Sequence, residues 1–205
     1  MSSSFFAMLS RMKYIKRWAL MRNSEPENIS EHSLEVSMLA HGLAVLGNRR
    51  LGKQLDADRC AVIGLFHDAG EIITGDMPTP IKYYNRQMQN VFHAIEDDAS
   101  EALLSMLPED LRDDYRGLFF RQEGEDELWR IVKAADKISA LIKCIEEGKA
   151  GNREFDSAKK TLTDSIHAMQ VPEAELFLDE FLPAYYRTLD ELSAGSEEKA
   201  GSDEH

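Results

Sequence analysis

Three ionisable residues lie within five positions of an otherwise apolar segment, GLFHDAGEII at 64–73: His67, Asp68 and Glu71. Residues three and four apart share one face of a helix, so His67 is expected beside Glu71, with Asp68 next to the same pair. Imidazole and carboxylate together are suitable ligands for a divalent transition metal. A local pair cannot complete such a site, so the remaining ligands must come from other helices.

Two further residues have unusual chemistry for their surroundings. His32 stands in NISEHSLEV, at the start of an amphipathic helix, and Asp136 stands in IVKAADKISALI, an apolar helical segment. An ionised aspartate is costly to bury unless it is paired or bound to a metal. Taken alone, Asp136 could pair with Lys133 or Lys137, and His32 could be a hydrogen-bonded residue of a first helical turn. Taken together with His67 and Asp68, both become candidate ligands.

Helices must position these residues, because apolar residues recur at helical spacing and no segment shows the sustained alternation of a half-buried strand. The expected fold class is therefore all-α, with helices over 2–15 and from Asn28 to about Gly47 in the first part of the chain. A third helix is expected from Asp58 to Thr74, with Gly75 as its stop. TGDMPTPI should then be a loop, stiffened by its prolines.

Later helices are expected at 86–106, 108–120, 125–147, 152–170 and 173–192, with Pro183 kinking or splitting the last. No interdomain linker is evident, so residues 1–192 are predicted to form a single domain. The tail at 193–205, SAGSEEKAGSDEH, lacks apolar anchors and is predicted to be disordered. Cys60 and Cys144 lie in apolar helical patterns and are predicted to be buried free thiols.

The charge balance limits the partners of the protein. There are 24 basic and 37 acidic residues, a formal net charge of −13, which argues against polymeric nucleic acid because its binding depends on neutralised phosphates. A small anion could still bind where a metal and a few local cations overcome the general field. No apolar stretch approaches the roughly 20 residues that span a bilayer, and no secretory signal is evident, so a cytoplasmic protein with no membrane partner is expected.

The ordered set His32, His67, Asp68 and Asp136 resembles the H...HD...D signature of the HD-domain metal-dependent phosphohydrolases. Within that superfamily the chain is most similar to the bacterial HD-domain 5'-deoxynucleotidases. The resemblance covers nearly all of residues 4–192 and is carried by KRWALMRN, NISEHSLEVSMLAH, FHDAGEIITGDMPTPIKYYN and VKAADKISALIKCIEE.

The resemblance implies an all-α HD-domain helical bundle that forms a homodimer. It implies that His32, His67, Asp68 and Asp136 ligate one divalent transition metal ion, with Co²⁺ commonly used in assays and Mn²⁺ or Zn²⁺ as alternatives. The implied reaction converts 2'-deoxyribonucleoside 5'-monophosphates to deoxynucleosides and phosphate, with low base selectivity. Such a ligand set leaves open positions for water and a phosphate oxygen.

The resemblance implies catalytic roles for three residues: Asp68, as a metal ligand, Arg17 and Glu71. Arg17 can hold phosphate oxygens bidentately, and Glu71 can either protonate the departing 5'-oxygen or manage the nucleophilic water. Trp18 can pack against the nucleoside or anchor the preceding helix, and Asp76 can accept from a sugar hydroxyl. The residues implied at the substrate are Arg17, Trp18, His32, Asp68, Asp76, Met77, Pro78, Thr79 and Asp136.

Two alternatives remain open at this point. Another HD-type reaction, on a phosphodiester or a nucleoside triphosphate, would use the same ligands. A noncatalytic HD-like signalling scaffold would need neither the ligands nor Glu71. Release of inorganic phosphate and nucleoside from a monophosphate would separate the leading hypothesis from both.

Overall fold

The computed structural model describes residues 2–82 and 84–193. Across these residues the regular elements are helical and no strand forms, although Lys16 and Asn28 make an isolated antiparallel bridge. The predicted all-α class is confirmed. The predicted disordered tail lies, from residue 194 onwards, outside the described residues.

The α-helices are, in chain order, α1 (Phe5–Leu9), α2 (Ile29–Arg50), α3 (Ala57–Phe66), α4 (Glu71–Thr74), α5 (Thr79–Lys82), α6 (Arg86–Ser105), α7 (Glu109–Phe119), α8 (Asp126–Lys149), α9 (Asp156–Ala168) and α10 (Pro172–Glu180). Short 3₁₀ helices lie at Met12–Tyr14, Arg153–Phe155 and Leu182–Tyr186. None of the helices in the described part of the chain combines the length and apolar character needed to cross a bilayer.

Helix α2 begins where its sequence predicts. The Asn28 side chain accepts from the N–H groups of Ser30 and Glu31, and the Glu31 carboxylate accepts from the Asn28 N–H, which completes a capping box. This cap fixes the first turn of α2, and His32 is therefore held at a defined position at the helix start. The last predicted helix is divided as expected, since α10 ends before Pro183.

The predicted continuous helix over 2–15 is wrong. It is replaced by α1 and the 3₁₀ turn Met12–Tyr14. Ser4 makes no capping hydrogen bond, and the Ser10 hydroxyl donates to the Phe6 carbonyl. Side-chain hydrogen bonds of this kind compete with the helical ladder, which is a physical reason for the early end of α1.

The predicted continuous helix from Asp58 to Thr74 is also wrong. It is divided into α3 and α4 by tight turns at 67–70, where Glu71 and Ile72 donate their N–H groups to carbonyls three residues earlier. The Gly64 carbonyl accepts from the His67 ring at 2.7 Å, so a side chain competes for a helix acceptor at the break. Gly75, with φ +73°, ends α4 as predicted.

The loop predicted for TGDMPTPI is partly helical. Residues Thr79–Lys82 form the short helix α5, in which Ile81 and Lys82 donate their N–H groups to the Pro78 carbonyl. Pro80 lies in the first turn of α5, where its missing N–H costs no hydrogen bond. The loop prediction therefore holds for residues 75–78 and fails for residues 79–81.

Two apolar clusters form the core and meet near the start of α2. The larger cluster joins α2, α3, α8, α9 and α10 and includes Val36 and Ile138. The smaller one includes Phe5, Ile29 and Ile72 and extends to α6. Because Ile29 and Val36 belong to different clusters, the first turns of α2 lie between them.

Close packing of α2 on α3 depends on a glycine. A Cβ at Gly64 would lie 3.0 Å from Cα of Ser37, so a larger residue would force the two helices apart. This approach brings the C-terminal end of α3, and with it His67, next to the first turn of α2.

Cys60 and Cys144 are buried and free, as predicted, and burial raises the pKa of each thiol to about 12.

Candidate active site

His32, His67 and Asp68 converge from two parts of the chain. Each offers a ligand atom, and these atoms all lie within 4.8 Å of one another. His32 comes from the capped first turn of α2, while His67 and Asp68 come from the break between α3 and α4. Two imidazoles and one carboxylate at this spacing form a donor set suited to a divalent transition metal.

The histidine nitrogens that face this cluster are unsatisfied. Nε2 of His32 and of His67 are buried and have no hydrogen-bond partner within residues 2–82 and 84–193. They lie 3.4 and 3.3 Å from Oδ2 of Asp68, close in distance but without hydrogen-bond geometry. Buried orphan nitrogens are rare, and a bound metal ion would account for both. The residues therefore fit a metal.

The other ring nitrogen of His67 fixes its orientation. Nδ1 lies 2.7 Å from the Gly64 carbonyl, which can only accept, so Nδ1 carries a proton and Nε2 is left to face the cluster. Burial lowers the pKa of His67, but Asp68, Asp136 and the Gly64 carbonyl together outweigh burial and raise the pKa. A field that favours positive charge at His67 also favours a bound cation.

Asp68 stands at the centre of the charge network. Burial raises its pKa, but His67 and His32 together lower the pKa more, so the group stays ionised. Its Oδ2 also accepts a hydrogen bond from Nη1 of Arg17 at 3.3 Å. Asp68 thus links the histidine cluster to a guanidinium group.

Asp136 reaches the cluster at one point. Its Oδ1 lies 3.3 Å from Nε2 of His32, and its Oδ2 accepts from Lys133 at 2.5 Å. Burial raises the pKa of Asp136, but Lys133, His32 and His67 together lower the pKa by more, so the net direction is down. The lysine partner considered from sequence is therefore present, together with a contact to a candidate ligand.

Arg17 is held beside the cluster by two carboxylates. Besides Asp68, its Nε donates to Oε2 of Glu27 at 3.2 Å. Burial lowers the pKa of Arg17, but Asp68 and Glu27 outweigh burial and raise it, which keeps the guanidinium charged. A fixed, buried cation next to a metal-ligand cluster can bind an anion even in an acidic protein.

Glu71 is a buried carboxyl whose Oε2 has no hydrogen-bond partner among the described residues. Burial, then the charges of Asp68 and Asp76, raise its pKa to about 10. In the metal-free protein Glu71 therefore holds a proton at neutral pH. A carboxyl that keeps its proton under assay conditions can serve as a general acid.

Trp18 and Asp76 tie two segments of the site together. Oδ2 of Asp76 accepts from the Trp18 backbone N–H at 3.1 Å, and the Trp18 indole donates to Glu27 at 2.7 Å. Trp18 has a φ of 59°, an uncommon conformation for a bulky residue that needs support from its surroundings. Burial raises the pKa of Asp76, an effect that Arg17 and the Trp18 N–H partly oppose.

The rest of the predicted substrate segment is more open. Met77 and Pro78 are half-buried, and Thr79 is exposed at the start of α5. The structure therefore brings together His32, His67, Asp68, Arg17 and Asp136 by direct contacts, and it links Trp18 to Asp76. Among the described residues, no hydrogen bond or ion pair joins Met77, Pro78 or Thr79 to the histidine cluster.

Sequence reasoning missed three residues that support this site: Glu27, Ser139 and Glu35. Glu27 binds both Arg17 and Trp18, and Ser139 lies 3.0 Å from Nδ1 of His32. Glu35 accepts from Ser139 at 2.5 Å. A polar residue in an apolar helix, such as Ser139 in α8, was the one local signal that could have drawn attention.

Comparison with known proteins identifies the family of this chain. The model of the family described as "5'-deoxynucleotidase YfbR-like" matches residues 4–185. The 5'-deoxynucleotidase VV1113 of Vibrio vulnificus is 47% identical over 191 residues, which cover 93% of this chain and 98% of the relative. The 5'-deoxynucleotidase YfbR of Salmonella paratyphi B is 46% identical over 194 residues, with 95% and 98% covered.

Solved structures have the same fold. An HD-domain phosphohydrolase from Listeria innocua aligns with a TM-score of 0.77 and 23% identity, covering 89% of this chain and 88% of its own. The HD phosphohydrolase of cyanophage S-2L, bound to dA and one catalytic Zn²⁺ ion, aligns with a TM-score of 0.62 and 19% identity, covering 89% and 96%. From the family match over most of its length and from these relatives, the chain belongs to the 5'-deoxynucleotidase YfbR-like family.

Proposed function

We propose that this protein is a metal-dependent 5'-deoxynucleotidase, a phosphoric monoester hydrolase that converts 2'-deoxyribonucleoside 5'-monophosphates to deoxynucleosides and phosphate with low base selectivity. The observation that carries the proposal is the buried His32–His67–Asp68 cluster beside Arg17, in a chain that belongs to a 5'-deoxynucleotidase family. The bound dA of the cyanophage neighbour agrees with a deoxynucleoside site in this fold.

In this proposal His32, His67, Asp68 and Asp136 hold one divalent ion, with Co²⁺ expected to support activity in vitro and Mn²⁺ or Zn²⁺ as alternatives. When bound, the ion supplies a water of lowered pKa and stabilises negative charge on the phosphoryl group. The contact between Asp136 and His32 supports Asp136 as the fourth ligand. Lys133 binds Oδ2 of Asp136, so Oδ1, which faces His32, is the oxygen proposed to ligate the ion.

The remaining residues act on the substrate directly. Arg17 orients the phosphate, because its planar guanidinium is charged and fixed next to the metal ligands. Glu71, a buried carboxyl near Asp68, assists proton transfer by donating a proton to the departing 5'-oxygen. Asp76 accepts from the 3'-hydroxyl of the sugar through the oxygen that does not bind Trp18. Trp18, Met77, Pro78 and Thr79 form the wall around the nucleoside.

The proposal is tested by phosphate release from matched ribo- and deoxyribonucleoside monophosphates after metal removal and readdition. The expected products are inorganic phosphate and the free deoxynucleoside, formed after metal is restored. Turnover of phosphodiesters or nucleoside triphosphates with no release from monophosphates would favour another HD-type reaction. Metal binding with no turnover of any of these substrates would favour the signalling scaffold.

Deoxyribonucleotides should be preferred over their ribose counterparts, and 3'-monophosphates should not be cleaved. A merely apolar pocket rejects an added hydroxyl by only about a hundredfold, so a larger preference requires the fixed wall between Trp18 and Asp76. Asp76→Ala should weaken activity on deoxynucleotides, because it removes both the sugar acceptor and the bond to the Trp18 N–H. Specificity constants for each substrate pair measure this preference, and equal turnover of ribo and deoxy substrates by the intact enzyme would contradict it.

Arg17→Lys should lower kcat/KM by about 10- to 100-fold although the charge is kept. Arg17 bonds to Glu27 and Asp68 at once, and an ammonium group cannot reproduce that planar arrangement while also binding phosphate. Phosphate-release kinetics provide the measurement, and Arg22→Lys, an exposed arginine of the same segment, is the matched control. An Arg17→Lys enzyme as active as the control would return Arg17 to a structural role.

We further propose that residues 1–192 act as one domain and that the protein is a homodimer. Leu34 and Met38, one turn apart on α2, and Val62 and Leu65, one turn apart on α3, are exposed apolar side chains. Exposed apolar surface is typical of interfaces between subunits when it is clustered. Light scattering after gel filtration would report the mass, and a monomer at assay concentration would refute the dimer. A cytoplasmic location and the absence of polymeric nucleic acid among the partners stay predictions.

A further inference from the structure

A hydrogen-bonded chain leads away from the metal-ligand cluster on the side opposite Asp68. Nδ1 of His32 lies 3.0 Å from the Ser139 hydroxyl, and that hydroxyl lies 2.5 Å from Oε2 of Glu35. His32 and Ser139 are fully buried, whereas Glu35 is half-buried and lines a cavity with Glu31 and Glu146. These hydrogen bonds thus connect a buried candidate ligand to a carboxylate near the surface.

The chemistry of the three groups fixes the direction in which each hydrogen bond is donated. An ionised carboxylate can only accept, so the Ser139 hydroxyl must donate its proton to Glu35. Ser139 then has only lone pairs to offer His32, and Nδ1 must carry the imidazole proton. Nε2 of a neutral His32 is left as a lone pair that faces Asp68 and the metal cluster.

The opposite tautomer is favoured by the negative charges on the cluster side. Nε2 of His32 lies 3.3 Å from Asp136 and 3.4 Å from Asp68, so two carboxylates on the cluster side favour a proton on Nε2. A histidine with that proton cannot ligate a metal through Nε2. Glu27 could favour a proton on Nδ1, but its Oε1 is 3.8 Å away, beyond hydrogen-bond distance. Ser139 is thus the acceptor that opposes the two aspartates.

We propose that Ser139 and Glu35 are positioning residues that keep the proton of His32 on Nδ1, so that Nε2 is ready to bind the metal ion. This inference rests on the proposed function for its place in catalysis, but it concerns metal affinity and the tautomer of His32, which are measured separately. Hydrogen bonds to the second nitrogen of a ligand histidine commonly change metal affinity or activity by about 10- to 100-fold.

The first test is metal affinity of the metal-free protein, measured by Co²⁺ titration with a competing chelator. Ser139→Ala should weaken Co²⁺ binding by about 10- to 100-fold. Ser33→Ala is the matched control, because Ser33 is also fully buried, follows His32 directly, and has a hydroxyl without a hydrogen-bond partner among the described residues. Equal affinities of Ser139→Ala and Ser33→Ala would overturn the proposal.

The second test separates Glu35 from Ser139. Glu35→Met removes the acceptor and frees the Ser139 hydroxyl to donate to His32, so Co²⁺ affinity should fall in the same direction. Glu146→Met is the matched control, since it removes the same charge from the same cavity. The double variant Ser139→Ala/Glu35→Met should bind no more weakly than Ser139→Ala, because the two residues act through one chain. Additive losses, or an unaffected Glu35→Met, would remove Glu35 from the proposal.

The third test reads the tautomer directly. Long-range ¹H–¹⁵N correlation spectra of metal-free protein with labelled histidine distinguish protonated from unprotonated ring nitrogens. The measurement belongs at a pH well above 6, since burial raises the pKa of Glu35 to about 6 and an ionised carboxylate is required. His32 should carry its proton on Nδ1 in the wild type and on Nε2 in Ser139→Ala.

An unchanged tautomer in Ser139→Ala would refute the mechanism even if affinity falls. Failure of the proposed function has a different signature: a wild-type protein that releases no phosphate while the tautomer and affinity differences persist.

Discussion

Asp68→Ala is expected to remove nearly all metal-dependent phosphate release, lowering kcat/KM by on the order of 10³-fold. Asp68 is the one carboxylate in the three-residue cluster, and it also accepts from Arg17. Its loss would remove an anionic ligand and leave the guanidinium without a partner on the metal side. Steady-state phosphate release at saturating Co²⁺, together with metal content after dialysis, measures both effects.

Asp136→Ala should also lose metal-dependent phosphate release if Asp136 is the fourth ligand. Asp58→Ala is the matched control for both variants, since Asp58 has a side chain 97% exposed on α3 and lies outside the cluster. Thermal unfolding would confirm that each variant is folded. A folded Asp68 or Asp136 variant with the activity of the Asp58 control would refute its assignment as a ligand.

Glu71→Ala should bind metal normally but turn over about 10²- to 10⁴-fold more slowly, the usual contribution of a general acid or base. The physical reason is that Glu71 is buried and lies outside the histidine cluster, so its loss removes the proposed proton donor and not a ligand. Glu71→Gln keeps the shape of the side chain without its acidic proton and should be equally slow. Loss of Co²⁺ from either variant would instead place Glu71 among the ligands.

The role of Glu71 can be resolved further with the leaving group. A deoxynucleoside monophosphate whose bridging 5'-oxygen is replaced by sulfur departs as a thiolate, which needs little protonation because thiols have a pKa near 8.5. If Glu71 protonates the 5'-oxygen, Glu71→Gln should be far less impaired on this substrate than on the oxygen parent. Equal impairment on both would indicate that Glu71 manages the nucleophilic water.

The raised pKa of Glu71 also has a measurable effect on folding. In the folded metal-free protein the pKa is about 10, against an ordinary value of 4.5. Above pH 4.5 the unfolded chain releases the proton that the folded protein keeps, so this group lowers the free energy of unfolding as pH rises towards 10. Metal-free Glu71→Gln should therefore unfold at a higher temperature than the wild type near pH 8, with the difference vanishing near pH 4.5.

Local patterns were sufficient for the helices that end at strong signals. The Asn28–Glu31 capping box, Gly75 and Pro183 act through the backbone of their own neighbours, and each boundary they predicted is present. The break at 67–70 was not predictable in this way. There the His67 side chain bonds to the Gly64 carbonyl, and the residue types alone also fit a continuous helix.

The sequence by itself determined the all-α class and the residues able to do metal chemistry, because helical periodicity and the H...HD...D pattern are carried by residue type and order. Only the tertiary structure decided which nitrogen of each histidine faces the cluster, that Asp136 is shared between His32 and Lys133, and that Glu27, Ser139 and Glu35 support the site. These features depend on contacts between α2, α8 and the 67–70 break, which are distant in sequence. Hydrogen-bond direction and burial at such contacts arise from packing, and packing leaves no local pattern in the chain.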